Sequence, residues 1–435
     1  MPTAILEHET SADATRTASR FLRVVPLAFI TYSLAFLDRN NFGYASNGMT
    51  ESLKLTDNMT ALLPAVFFIG YFLFQIPSAN YASKHSVRWL VFWSLVAWGA
   101  LSSLAGIIHS TGWLIVDRLL LGSVEGVVLP AMLVYLTRWF TKRERSRANS
   151  LLMLANPVTM TYASAASGFI IDYFDTHHRL HLKGWQWMFI IEGIPSIAWA
   201  GLWVMLAKDR PSQSAWLAPQ EAEAVQRKLD AEQAEIPGVK NYWAAFADQR
   251  VIRLALMYIF FNAAGYAFMF WMPAIVKAQT GASAGKSGLL MAVPYLVASF
   301  TIVAVSWISD RTMQRKKYVW GSNLVGAIGY LLAALAGPQH FGMAFLALIV
   351  VGTCTYTPTS PQWAWMAEML PRNVLAESMA LVNSFGAVGG FLGVYFGGWL
   401  NRHFHSPGLT FLFCAMCLLL AAGLGLSVKQ NPRTE

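Results

Sequence analysis

Long apolar stretches recur along this chain, and they constrain its fold more than any other feature of the sequence. A helix of about 20 mainly apolar residues is long enough to cross a lipid bilayer. The stretches predict twelve such helices, at residues 24–47, 60–82, 89–108, 112–137, 148–172, 187–207, 251–276, 287–308, 318–336, 341–360, 377–400 and 409–428. Only 13% of all residues are charged, whereas about a quarter are charged in soluble domains. The sequence therefore predicts an all-α membrane protein.

One long polar segment interrupts the apolar pattern between the sixth and seventh predicted helices. Within it, LAPQEAEAVQRKLDAEQAE has the apolar spacing of an amphipathic helix. The layout predicts a polar tail, a six-helix half, a polar linker, a second six-helix half and a short tail, at residues 1–23, 24–207, 208–250, 251–428 and 429–435. Two such halves are typical of secondary transporters, which bind their substrate where the halves meet.

The basic residues indicate which way the helices run, because cytoplasmic loops carry an excess of Lys and Arg. With the N-terminus in the cytoplasm, 24 of the 32 Lys and Arg residues fall in cytoplasmic segments and six in external loops. The last two, Arg39 and Arg118, lie within predicted helices. Both termini are therefore predicted to be cytoplasmic. The same distribution explains the net charge of +9 without nucleic-acid binding, which we do not expect.

Four charged residues stand out inside predicted membrane helices: Asp38 and Arg39 in the first, Arg118 and Glu125 in the fourth. A charge near the middle of a membrane helix costs about 2.5–3.5 kcal/mol, so such residues usually serve a function. Arginine keeps its charge and offers a planar set of donors that matches a carboxylate, whereas a buried carboxylate can take up a proton. Together they can bind an organic anion and carry H⁺. The alternative is a set of ion pairs that hold the first six helices together.

Four segments carry more specific information: LDRNNFGYA, RLLLGSVEGVVLPAMLVYLTRWFTKRERSRAN, GWQWMFIIEGIPS and EMLPRNVLAESMALVNSFGAVGGFLG. These segments resemble the anion:cation symporter family of the major facilitator superfamily, and the resemblance covers nearly the whole chain. It implies twelve helices in two halves, alternating access between the two sides of the membrane, and import of an organic anion with H⁺. It also implies a multi-pass protein of the bacterial inner membrane.

The resemblance implies roles for individual residues. Asp38 and Glu125 match acids assigned to proton coupling, Arg118 matches an arginine coupled to that acidic site, and Arg39 matches an arginine that contacts the substrate. Further matches to residues that line the cavity or contact the substrate are Tyr71, Asn156, Ser360, Trp363 and Asn383. Sugar acids (aldonates) lead the expected substrates. Tartrate, phthalate and hydroxyphenylacetate-type carboxylates stay open as alternatives, as does uniport.

One departure from the superfamily pattern concerns the loop after the second predicted helix. A Gly…Asp…Gly-Arg pattern is usual there, but NYASKHSVRW keeps the basic residues and lacks the acid and the glycines. The corresponding loop of the second half, SWISDRTMQRKK, retains Asp310 and Arg311. The cytosolic latch of the first half is therefore without its usual acid.

No cofactor is expected besides H⁺ as the coupling ion, and no metal site. His177, His178 and His181 lie in one predicted external loop, but no acid or cysteine completes a zinc site. Nothing resembles a phosphate-binding loop, and no second catalytic constellation accompanies the membrane acids. We expect a monomeric transporter for a small carboxylate in the lipid bilayer rather than an enzyme. A sensor with a transporter fold, which binds without flux, is the remaining alternative.

Overall fold

A computed structural model of the chain describes residues 2–177, 179–234, 249–370 and 375–428, and these residues form helices but no β-strand. Part of the predicted linker (235–248), the predicted tail 429–435 and His178 lie outside the described residues. The α-helices follow in chain order as α1 Pro2–Leu53, α2 Asp57–Lys84, α3 Val87–Ala105, α4 Thr111–Glu125, α5 Val128–Thr137, α6 Lys142–His177, α7 Gly184–Leu206, α8 Pro219–Ala234, α9 Gln249–Thr280, α10 Ala284–Thr312, α11 Arg315–Ala336, α12 Phe341–Tyr356, α13 Thr359–Met369, α14 Leu375–His403 and α15 Pro407–Ser427.

Twelve membrane crossings follow from the described helices. Eleven helices, or helix pairs joined across a break, are long and apolar enough to span a membrane. The twelfth crossing is α6, which has 36 residues but a lower mean hydropathy and packs along α1 and α10. The predicted all-α membrane fold is thereby confirmed. Because α1 begins at Pro2, the predicted N-terminal tail and the first crossing form one continuous helix.

The fourth crossing is broken just after a buried acid. The sequence predicts one helix over residues 112–137, but α4 ends at Glu125 and α5 begins at Val128. Pro130 explains the break, because a proline ring has no N–H for the carbonyl four residues earlier and collides with it. That carbonyl belongs to Gly126, where the chain turns. Glu125 is therefore the last helical residue before a bend in the middle of the crossing.

The tenth crossing is broken as well, at prolines that predict the break from sequence. The first part, α12, ends at Tyr356, and α13 begins at Thr359 with Pro358 as its cap. The crossing continues to Met369, further than the predicted end at residue 360, because α13 resumes a helical course after the prolines. The bend leaves this crossing irregular next to the centre of the molecule, where irregular backbone is tolerated only if it lines protein or a cavity.

The six crossings before the linker (the N-half, α1–α7) meet the six after it (the C-half, α9–α15) mainly along three helix pairs, with a smaller contact between α6 and α13. The three pairs are α1 with α9, α2 with α14 and α6 with α10. We call the end of the bundle that carries the α1–α2 and α9–α10 connections the distal end. The opposite end, from which the first crossing starts and at which α15 finishes, is the terminal end.

Two polar contacts join the halves at the distal end. The Asp172 carboxylate of α6 accepts hydrogen bonds from the backbone N–H groups of Ala284 and Gly285 at the start of α10, at 2.9 and 2.8 Å. Arg402 of α14 donates to the side-chain oxygen of Asn47 of α1 at 3.4 Å. The two halves are thus joined at their distal ends.

At the terminal end of the N-half, Asp209 occupies the role of the acid that the α2–α3 loop lacks. Asp209 follows α7, and its carboxylate accepts hydrogen bonds from the Ser86 hydroxyl at 2.5 Å and the Arg88 backbone N–H at 3.1 Å. It also pairs with Arg138 at 3.2 Å. One carboxylate therefore ties together the ends of α3, α5 and α7, although it lies about 120 residues away from the loop in which the superfamily pattern places it.

The predicted amphipathic helix of the linker is present as α8, and its described part docks under the N-half. Ala222 and Leu229 are buried, as the amphipathic spacing predicts. Just before this helix, the Trp216 ring stacks on Trp139 with ring centroids 5.6 Å apart. The linker is therefore packed onto the N-half rather than simply spanning the two halves.

Candidate functional site

A cavity lies between the two halves, near the middle of the crossings. Its lining reaches Gln75 and Asn383, which lie toward the terminal ends of α2 and α14, so the cavity is on the terminal side of the distal contacts. Among the described residues that line it, Arg39 is the only charged one. The other polar and aromatic polar side chains in the lining are Tyr32, Tyr71, Gln75, Asn156, Tyr258, Asn262, Tyr266, Thr355, Tyr356, Thr359, Trp363 and Asn383.

The structure brings most of the predicted substrate-contacting residues together around this cavity. They are Arg39, Tyr71, Asn156, Trp363 and Asn383. Ser360 is not part of the lining, whereas its neighbour Thr359 is. Successive helical residues point about 100° apart, so a shift of one residue changes which side chain faces the cavity. The substrate roles of all these residues stay predictions.

A second and much smaller cavity lies directly behind Arg39. It is lined by Asp38, Arg39, Arg118 and Glu125, together with apolar side chains. The three residues predicted to couple protons therefore meet in one place, and Arg39 forms part of the wall between this small cavity and the large one. The geometry puts a substrate-sized space on one side of Arg39 and a cluster of acids on the other.

Arg39 and Glu125 form a buried ion pair. The Arg39 guanidinium donates a hydrogen bond to Glu125 Oε1, and the two side chains are 2% and 0% exposed. The pair joins α1 to α4. The ion pairs between helices that the sequence left as an alternative are therefore formed by the same residues that are predicted to function in transport. Glu125 Oε2 has no hydrogen-bond partner among the described residues. Arg39 thus has one carboxylate partner, and only one of the two oxygens of that carboxylate is hydrogen-bonded.

Arg39 also contacts the C-half. Its Nη1 donates to the Tyr266 hydroxyl of α9 at 3.1 Å, and its guanidinium lies 4.8 Å from the centroids of the Tyr71 and Phe36 rings. Aromatic faces attract a desolvated cation. These rings hold the guanidinium at the cavity wall without adding a second negative charge to it.

Asp38 points away from Arg39, as the angle between adjacent helical residues predicts. Its Oδ1 accepts hydrogen bonds from the Asn41 amide at 2.8 Å and from the Ser102 hydroxyl of α3. No described residue forms a hydrogen bond with its Oδ2. Asp38 is only 1% exposed, so it is a buried carboxyl group held by neutral donors.

Arg118 has an acidic neighbour that sequence reasoning overlooked. Asp117 is 3% exposed, and its Oδ2 lies 3.4 Å from Arg118 Nη2. The Arg118 guanidinium is flanked by the rings of Phe42 and Phe189, with centroids at 5.8 and 5.1 Å. The letters VDR within the fourth apolar stretch were the available signal for this fifth buried charge.

The C-half contributes a stripe of polar groups on α9 that was also missed. Tyr258, Asn262 and Tyr266 lie four residues apart along the helix, so they share one face, and all three line the large cavity. The Asn262 amide N–H donates to the Tyr258 carbonyl at 2.8 Å, which leaves its side-chain oxygen as an acceptor. The Trp363 ring meets Tyr258 edge-on at 5.4 Å. Polar residues at this spacing in an apolar helix were the signal.

Comparison with known proteins places the chain among membrane transporters. The model of the Major Facilitator Superfamily matches residues 28–394 and 254–435. A protein of Agrobacterium vitis named "Putative tartrate transporter" is 34% identical over 410 residues, which cover 94% of this chain and 90% of that protein. The Inner membrane transport protein RhmT of Escherichia coli is 28% identical over 373 residues, covering 85% of each chain.

Solved structures support the same fold. The crystal structure of a D-xylose–proton symporter superposes with a TM-score of 0.77 at 16% sequence identity, covering 95% of this chain and 99% of that one. At this identity the likeness concerns the arrangement of helices alone. It agrees with the two groups of six crossings and with a cavity between them.

Proposed function

We propose a function on the premise that this chain belongs to the major facilitator superfamily and is a membrane transporter, not an enzyme. We propose that it imports a small hydroxylated carboxylate, foremost a sugar acid, together with H⁺ by alternating access. The observation that carries this proposal is the buried Arg39–Glu125 pair at the wall of the central cavity. No cofactor other than the coupling proton enters the proposal, and the transporter acts as a monomer.

The proposed direction follows from the distribution of basic residues. Cytoplasmic termini place the terminal end of the bundle inside a bacterial cell, in its inner membrane. The distal end then faces outward, and its contacts between the halves, such as Asp172 with the start of α10, correspond to a closed outer gate. On this proposal the structure corresponds to an inward-facing state, from which substrate leaves toward the cytoplasm.

The proposed substrate anchor is Arg39. A guanidinium cannot lose its proton in a protein, so buried Arg39 needs an anion at every stage of the cycle. Glu125 supplies that anion in the structure. If Glu125 takes up a proton, its charge is lost and a substrate carboxylate at the cavity wall replaces it as the partner of Arg39. Binding of the anion and uptake of H⁺ are thereby linked through a single arginine.

The rest of the cavity suits hydroxyl groups. Asn262 and Asn383 offer neutral amides, and Tyr258 and Trp363 offer polar aromatic groups, which can bind hydroxyls without a charge. Because Arg39 is the only charged residue among the described lining residues, the site can neutralise one carboxylate. This favours a sugar acid with one carboxylate over tartrate with two, although the name of the Agrobacterium relative keeps tartrate as the alternative.

The proposal is tested with purified protein in detergent, by thermal unfolding with D-galactonate, L-rhamnonate, L-tartrate, phthalate and 4-hydroxyphenylacetate. We expect a sugar acid to raise the unfolding temperature most. Arg39→Ala should abolish that shift, and the matched variant Arg39→Lys should retain only part of it, because lysine lacks the planar donor fork. An equal ligand-induced shift in wild type and Arg39→Ala would contradict the anchor. A shift with phthalate alone would contradict the hydroxylated substrate.

A further inference from the structure

Buried acids outnumber buried arginines in the membrane part of the N-half. Among the described residues, the acids buried within these crossings are Asp38, Asp117, Glu125 and Glu192, and the buried cations there are Arg39 and Arg118. An unpaired buried charge is strongly unfavourable, so the acids that lack a cation are favoured in their protonated form. The ion pairs that the two arginines form show which acids lack a cation.

Each arginine has its own partner. Arg39 is bound to Glu125, and Arg118 Nη2 lies 3.4 Å from Asp117 Oδ2. No ion pair is present for Asp38 in the described residues, and its hydrogen bonds come from Asn41 and Ser102. Yet Asp38 and Arg118 line the same small cavity. Without Asp117, Asp38 would be a candidate to neutralise Arg118, since Glu125 is already bound to Arg39.

We propose that Asp117 is the permanent counter-ion of Arg118 and that its charge leaves Asp38 free to carry a proton. This inference rests on the proposed H⁺ symport and assigns a positioning residue to it. When a proton neutralises Asp38, no buried charge is left unpaired, because Arg118 still has Asp117 as its counter-ion. If Asp117 were neutral, protonation of Asp38 would leave Arg118 as a lone buried cation, so Asp38 would stay ionised and would carry no proton.

The surroundings of Asp117 support an electrostatic role. The charged groups near it are Arg118 on its own helix and Asp38 on α1, and in the part of the chain that the structure describes both oxygens of Asp117 lack a hydrogen-bond partner. The helices α2 and α3 pack against α4. Their charged residues lie only toward the helix ends, as Asp57, Lys84 and Arg88. A carboxylate that ties no backbone or side-chain donor in place acts chiefly through its charge.

The experiment uses the full-length protein in proteoliposomes and two kinds of D-galactonate uptake. L-Tartrate replaces D-galactonate if it is the acid that stabilises wild type. Counterflow exchanges substrate without net proton movement, whereas accumulation against a gradient requires an imposed pH difference. We expect Asp117→Asn to reduce pH-driven accumulation by at least about tenfold, as loss of a buried charge partner implies, and to leave counterflow within about twofold. Asp117→Glu should restore accumulation, and the exposed-acid variant Asp57→Asn should match wild type.

Other outcomes separate this inference from the function on which it rests. If accumulation by wild type does not depend on the imposed pH difference, H⁺ symport itself is refuted. With wild type coupled, normal accumulation by Asp117→Asn would refute the role of Asp117. Parallel loss of counterflow and accumulation would mean that Asp117 serves only the structure, and this too would overturn the inference. A folded Asp117→Glu protein that stays uncoupled would show that charge is not what matters.

Discussion

The two halves of the molecule face the same cavity with different chemistry. Every charged side chain buried in the described membrane crossings near the cavity belongs to the N-half, and the C-half contributes amides, hydroxyls and an indole. The halves touch at the cavity wall through the hydrogen bond from Arg39 to Tyr266. The difference teaches how the tasks are divided. Under the proposed function, ion pairing and proton handling belong to the N-half, and the C-half contacts the uncharged part of the substrate.

This division has a physical advantage during alternating access. A buried ion pair is strongly destabilised when one partner is removed. Because Arg39 with Glu125 and Arg118 with Asp117 each lie within the N-half, rocking of the halves breaks neither pair. At the cavity, the contact between the halves that has to change is the hydrogen bond from Arg39 to Tyr266, and a hydrogen bond to a charged group contributes about 1.5–3 kcal/mol.

The largest effect is expected from Glu125→Gln, which removes the proton-accepting partner of Arg39. H⁺-driven accumulation should fall by at least about 100-fold, because glutamine cannot take up the proton and Arg39 loses its buried counter-ion. Removing one partner of a buried ion pair costs about 3–5 kcal/mol. Ligand-induced thermal stabilisation should persist or increase, since a substrate carboxylate then finds Arg39 unpaired. The exposed-acid variant Glu51→Gln is the control. Unchanged accumulation by Glu125→Gln would break the assignment of proton handling to the N-half.

The next effect concerns the proposed outer gate, where an N-half acid binds the C-half. Asp172→Ala removes the hydrogen bonds to Ala284 and Gly285, and hydrogen bonds to a charged group contribute about 1.5–3 kcal/mol each. We expect the distal ends to separate, seen as a population at longer distance between spin labels at Glu51 and Lys286 in a cysteine-free background.

Asp175→Ala is the matched control for this gate. Asp175 accepts a hydrogen bond from the Gly184 backbone N–H at the start of α7, so it performs the same chemistry within one half. Its loss should leave the label distance unchanged. If both variants lengthen the distance equally, the effect is local loosening rather than release of a contact between the halves.

A smaller effect is expected in the C-half, from Asn262→Ala. Loss of one neutral hydrogen bond to a substrate hydroxyl costs about 0.5–1.5 kcal/mol, so the KM for the sugar acid should rise roughly two- to tenfold. The pH dependence of uptake should not change, because no charge is altered. Asn401→Ala serves as control, because it removes the same amide side chain at a position outside the cavity lining. A changed pH dependence would contradict the assignment of proton handling to the N-half alone.

The smallest effect concerns stability at the terminal end. Asp209→Ala removes a carboxylate that binds Ser86, Arg88 and Arg138, and we expect the unfolding temperature to drop by a few degrees, the change that about 1 kcal/mol produces. The C-half counterpart Asp310→Ala should have less effect, because the Asp310 side chain is 66% exposed in its pair with Arg315 and exposed pairs contribute little. Equal drops would mean that the two ends are held in the same way.

Much of the fold could be predicted from the sequence because length and apolarity alone identify membrane helices. The break at Pro358 was predictable for the same local reason, since proline cannot continue a helix. The bend after Glu125 has an equally local cause in Pro130, but the long apolar run around it concealed the signal. These features depend on residues a few positions apart.

The site was less predictable because its contacts join distant residues. Arg39 and Glu125 are 86 positions apart, and no local pattern reveals that they pair with each other. Asp209 likewise replaces a missing acid from more than 120 positions away. At position 360, an error of one residue is enough to exchange a side chain that lines the cavity for one that does not. Packing between helices, rather than their existence, decides these contacts.

The central claim is that substrate and proton exchange at Arg39 through Glu125. The most direct measurement follows the lumenal pH of proteoliposomes with an enclosed dye while D-galactonate, or the acid that stabilises the protein best, is added outside. The account predicts acidification of the lumen by wild type as substrate enters and no acidification with Glu125→Gln. Substrate entry by wild type without acidification, or acidification that persists with Glu125→Gln, would contradict it.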